Sequence, residues 1–103
     1  MSRIRLLGNV GQGIHELVAY SVDAVNHGTP TDPVVVARAQ LATDTYEIVT
    51  AEVFPTNAPV VSGTRIDLSL FGYVDLGVLY RIEVNYLVNG NTFEDVLEVT
   101  GEL

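Results

Sequence analysis

"GVLYRIEVNYLVNGNTFEDVLEV", residues 77–99, is the stretch whose reading decides the fold. Its apolar side chains recur at every second position on both sides of Asn89 and Gly90, a dipeptide suited to a two-residue hairpin turn because both residues accept positive φ. Tyr80, Ile82, Val84 and Tyr86 take one face, and Leu79, Arg81, Glu83 and Asn85 the other, as a half-buried strand requires. A turn centred on Asn89 and Gly90 sets Tyr86 opposite Phe93, Ile82 opposite Leu97, Tyr80 opposite Val99 and Arg81 opposite Glu98. Such apolar and opposite-charge pairs contribute about 0.2–1 kcal/mol each. A turn at Gly90 and Asn91 would instead oppose Glu83 to Glu98, so charge selects the first register. Its one misfit is Val84 facing Asp95, which suggests that Asp95 lies near an edge or a partner.

The same period of two runs outward along the chain. "TRIDLSL" places Ile66, Leu68 and Leu70 on one face and Arg65, Asp67 and Ser69 on the other. "NHGTPTDP" and "FPTNAP" read as loops, because proline cannot donate to a ladder and glycine supplies positive φ. Strands are expected at 3–7, 17–23, 34–41, 46–54, 64–70, 78–87 and 92–100. Short strands between turn signals predict an all-β fold, an Ig-like antiparallel β-sandwich of about seven strands.

Residues 1–14 carry conflicting signals. Ile4, Leu6 and Leu7 have strand character, yet "GNVGQG" behind them is glycine-rich, so the sequence predicts an extended N-terminal arm on a Gly-rich hinge, followed by a sandwich domain at 15–103. Such an arm can add a strand to a partner's sheet edge, with Arg3, Ile4, Arg5, Leu6 and Leu7 as the partner-binding residues. The alternative is that 3–7 is the first strand of the domain's own sheet.

Composition narrows the function classes. The chain of 103 residues is long enough for one domain with a single core, and it has no cysteine, so thiolate chemistry and disulfides are excluded. Its 13 Asp and Glu stand against five Arg and no Lys, for a net charge of −8, which repels phosphate backbones and anionic membranes. Nucleic acid and membrane partners are therefore not expected, and no run has the length or apolarity of a leader or a membrane span.

No motif carries recognisable catalysis. "GNVGQG" lacks the Lys and Ser or Thr of a P-loop and the strand-to-helix setting of a dinucleotide site. His15 and His27 have no metalloprotease spacing and are expected at the surface or in a cap. Asp44, Glu47 and Glu52 read as a solvated strand face rather than an acid–base pair. "HGTPTD" and "FEDV" lack the dense oxygen-ligand pattern of a calcium loop. Ser2, Ser21, Ser62 and Ser69 have no nucleophile-elbow neighbourhood. A non-enzymatic protein without cofactor or metal is expected.

The C-terminal half resembles the small Ig-like fibre-tail adaptor proteins of tailed-phage virions and, more loosely, phage capsid cement or decoration proteins. The resemblance rests on Gly63 and Thr64 leading an alternating strand, the Gly72 loop, the strand led by Gly77 and Tyr80, and the Gly90 turn. "ELVAYSVDAV" is similar to that family's opening strand, so the likeness covers about residues 16–100, and residues 1–14 have no counterpart. It implies a structural protein of the virion, assembled in the host cytoplasm in multiple copies and binding tail, fibre or major capsid protein. The alternative is a carbohydrate- or cell-surface-binding β module, in which exposed Tyr46, Phe71 or Tyr73 would line a groove.

Overall fold

The computed structural model describes residues 2–103, with side chains from Leu7 onward. Its elements are β1 (Ser2–Gly13), β2 (Val18–Asp23), β3 (Thr31–Ala42), β4 (Thr45–Ile48), α1 (Thr50–Val53), β5 (Val60–Ser62), β6 (Arg65–Phe71), β7 (Leu79–Val88) and β8 (Asn91–Glu102). They form a five-stranded sheet in the order β1-β8-β7-β3-β4 and a three-stranded sheet in the order β2-β6-β5. Strands β2, β6 and β5 correspond to B, E and D of an immunoglobulin sandwich, β3, β7 and β8 to C, F and G, and β4 to the added C′ strand. The fold is the expected Ig-like all-β sandwich, with eight strands.

The β7–β8 hairpin has the expected register. Tyr86 faces Phe93, Ile82 faces Leu97, Tyr80 faces Val99 and Arg81 faces Glu98. Asn89 and Gly90 take φ of 51° and 82°, as a type I′ turn demands. Tyr80, Ile82, Val84 and Tyr86 are all buried and meet Val22, Ile66, Leu68 and Phe71 of the opposite sheet in one core. The Tyr80 hydroxyl accepts a 2.8 Å hydrogen bond from the Asp75 N–H, five residues upstream. That is the tyrosine corner of Ig-like sandwiches, and Ile82, two positions on, stands where antibody domains carry a core cysteine.

Asp95 is not at an edge. It is 1% exposed, on the core face of β8, where the Tyr86 hydroxyl donates to its Oδ2 at 2.9 Å. A buried carboxylate needs such a donor, so the misfit opposite Val84 is resolved by a polar contact inside the sandwich.

The N-terminal stretch forms a strand rather than an arm and hinge. Ser2 to Leu6 run parallel to Thr92 to Val96 and, after a register shift around Leu7, Gly8 to Gly13 run parallel to Leu97 to Glu102. Gly8 takes φ of 139° at the bulge, a value side-chain-bearing residues avoid. Gly11 and Gly13 leave room for the side chains of Glu102 and Glu16, which a Cβ at either position would meet. The glycines thus serve close packing across a strand. Residue 14, the expected boundary, is itself tied to the sheet, because the Ile14 N–H donates to the Glu102 carbonyl at 2.8 Å.

Three further differences have local causes. The strand expected over 46–54 stops at Ile48, and Thr50–Val53 turns into a single helical turn whose Thr50 Oγ1 accepts from the Ala37 N–H at 3.0 Å. This turn drives Val53 and Phe54 into the core. Strand β5 has a fully exposed pattern, so no alternation marked it. Leu70 leaves the core face because β6 carries an extra residue opposite the Ala19–Ser21 step, and Phe71 is buried in its place.

Candidate interaction surface

The surface is built at one end of the sandwich, around the loop between β6 and β7. Tyr73 stands there with φ of 57° and is 63% exposed. The other described residues with positive φ, apart from glycine, are Asp32, Asp44 and Asn89, short polar types that tolerate the left-handed region. For an aromatic residue that conformation costs about 1–2 kcal/mol. The core gains nothing in return, since the ring points outward.

Three concavities meet at Tyr73. One, of about 410 Å³, is lined by Leu17, Pro55, Thr56, Ser69, Leu70 and Tyr73. A second, of about 320 Å³, runs past Glu47 of β4, Glu52 of α1 and Asp75 of the loop. The third, of about 230 Å³, is lined by Ile14, His15, Glu16 and Leu17. Leu17, Leu70, Tyr73 and Leu76 are all exposed. The charged residues lining the three are Glu16, Glu47, Glu52 and Asp75, and no arginine is among them.

A buried polar residue fixes the walls. Gln12, 1% exposed, donates from Nε2 to the Phe71 carbonyl at 2.8 Å and to the Glu16 carbonyl at 3.0 Å, while the Tyr20 hydroxyl donates to its Oε1 at 2.6 Å. One side chain from β1 therefore ties together the segment before β2, which supplies Leu17, and the end of β6, which supplies Leu70 and leads into Tyr73. The Gly72 N–H donates to the Val53 carbonyl at 3.0 Å, and a Cβ at Gly72 would meet Leu17. Beneath lies a ring cluster in which Phe71 sits edge-on to Phe54, Tyr80 and Tyr20 at centroid distances of 5.1, 6.0 and 6.1 Å. Burial raises the hydroxyl pKa of Tyr20, and the Glu16 charge adds to it. Burial likewise raises that of Tyr80, against the Asp75 N–H, which lowers it, while the Asp75 charge adds to the rise.

Of the residues singled out from sequence, His15, Glu47, Glu52 and Tyr73 lie on this surface and the others fall elsewhere. Arg3, Ile4, Arg5 and Leu6 pair through their backbones with Phe93, Glu94, Asp95 and Val96, and Leu7 sits exposed at the register shift. The side chains of the first four lie outside the described residues. His27 is not a surface cap: its ring stacks on Phe93 at 4.2 Å, and its buried Nε2 has no hydrogen-bond partner. His15 lines the third concavity. Asp44 lies in the β3–β4 turn, while Glu47 and Glu52 flank the second concavity. Among the described residues, no group of three His, Asp or Glu converges as a metal site. Of the aromatics expected to line a groove, Tyr73 does so, Phe71 is fully buried, and Tyr46 is exposed on β4. Sequence reasoning missed Leu17 and Leu70, and only the β6 bulge, invisible to periodicity, brings Leu70 out.

Compared with family profiles, curated protein sequences and solved structures, the chain matches none.

Proposed function

We propose that this protein is a non-enzymatic binding module that acts as a structural component of a tailed-phage virion, an adaptor or capsid-decoration protein working through protein–protein contacts. The observation that carries the binding role is the exposed apolar surface around Tyr73, because an apolar patch held open by a rigid scaffold is what a monomer retains for a partner. The virion assignment rests on the resemblance of about residues 16–100 to the fibre-tail adaptors, and the Ig-like strand order is in keeping with it. A carbohydrate-binding role finds support in Tyr73, but the concavity it shares with Leu17, Pro55 and Leu70 offers no second stacking ring.

Immunoelectron microscopy with antibody raised against the purified chain tests this reading on particles from cells in which the gene is expressed with its phage. Periodic labelling of tail or head supports it. Absence of the chain from purified particles overturns the virion assignment, and retention on a glycan array would favour the carbohydrate reading.

A further inference from the structure

The binding-module reading leaves the partner's chemistry open, and the surface narrows it. We infer that the concavities around Tyr73 take an extended segment of another protein, which seats an apolar side chain against Leu17 and Leu70 and sets arginine or lysine side chains against Glu47, Glu52 and Asp75. The inference rests on the reading above and specifies its docking site.

Three observations carry it. Tyr73 occupies a conformation that stability alone would give to glycine or asparagine, and its ring is exposed, so the residue type is explained by what it touches outside the chain. Its ring is the wall shared by an apolar slot and an acid-lined one, the arrangement in which an alternating apolar and basic segment fills both at once. The walls are held in place by Gln12 and Gly72, so little ordering is left to do on binding.

Charge then selects the occupant. Every acidic or basic residue lining the surface is acidic, apart from His15, in a chain of net charge −8. Acidic segments are repelled and basic ones drawn in. A second copy of this chain is poorly suited, because it carries the same net charge of −8, and the arginines with described side chains are already engaged: Arg38 and Arg81 by Glu83, and Arg65 by Asp67.

A random twelve-residue peptide library displayed on yeast, selected against the purified full chain, provides the probe. Two variants serve as controls. Tyr73→Gly suits the native backbone and removes the ring, and the triple change Glu47→Gln, Glu52→Gln, Asp75→Asn removes charge from exposed positions without touching the core. The expected result is enrichment of peptides with two or more Arg or Lys beside an apolar residue. Their binding should weaken about tenfold or more in either variant. It should also weaken with added salt. No enrichment, enriched peptides without basic residues, or unchanged binding in both variants overturns the inference. Sedimentation of the chain alone adds a further arm, since self-association abolished by Tyr73→Gly would make a second copy the occupant and overturn it too. Particle labelling reads the virion assignment separately. Wild-type chain on particles with the triple variant equally incorporated would place docking elsewhere and leave that assignment standing.

Discussion

At the level of single residues, Gln12 concentrates more consequence than any other side chain. It sits in a stretch whose glycines read as a hinge, and period-two reasoning gives a lone glutamine no reason to be buried. Its three hydrogen bonds span both sheets, so truncation strands two carbonyls and the Tyr20 hydroxyl. Gln12→Ala is expected to cost about 2–3 kcal/mol in urea unfolding, because unmatched buried polar groups lose their full desolvation compensation. Tyr80 lends itself to a pH test. Its hydroxyl pKa is raised in the folded state, chiefly by burial, so the protonated form is favoured by folding. That contribution is complete below the ordinary tyrosine value near about 10 and is lost as pH rises through the folded value. The thermal midpoint of the wild type should therefore fall above about pH 10 more steeply than that of Tyr80→Phe, and parallel curves would refute the coupling. Asp95 was legible only as a misfit; its solution, a hydrogen bond from Tyr86 two positions along the opposite strand, needed three dimensions.

Among the elements, the ones that alternate strictly were readable and the ones that bend were not. The β7–β8 hairpin followed from periodicity, turn chemistry and charge together, three signals that agree. Strand β4 ran on too far in the sequence reading because Val49, Val53 and Phe54 all have strand propensity, whereas the core claims Val53 and Phe54 through a helical turn, a tertiary demand that overrides propensity. The candidate surface was half legible. Tyr73, Glu47 and Glu52 drew notice as isolated residues, but their convergence depends on the β6 bulge and on α1, neither of which leaves a period in the sequence. Strand β1 invites the most direct test. With its full length laddered to β8 and Gln12 locked into the opposite sheet, deletion of residues 1–13 is expected to destabilise by more than about 3 kcal/mol, a large part of a small domain's stability. Circular dichroism on heating would show it, and an unchanged midpoint would mean that the β1 ladder is dispensable.

For the molecule as a whole, charge is the governing property. A net −8 with no lysine means that exposed carboxylates repel one another across the surface, so the thermal midpoint should rise when salt is increased from about 20 to about 300 mM. Duplex DNA at about 100 mM salt should show no mobility shift with this protein, and a shift that vanishes at higher salt would contradict the expectation, drawn from charge, that nucleic acid is not a partner. The parallel pairing of β1 with β8 has a consequence for how the chain is made. Ser2 is matched to Thr92, so β1 is completed by a strand that is synthesised long after it. Until β8 has been made β1 has no ladder to join, and Gln12 has no acceptor on β6 until Phe71 has emerged. Folding is thereby deferred until β8 has emerged, and pairing at such long sequence separation makes it slow, with β1 open to holdase chaperones in the interval.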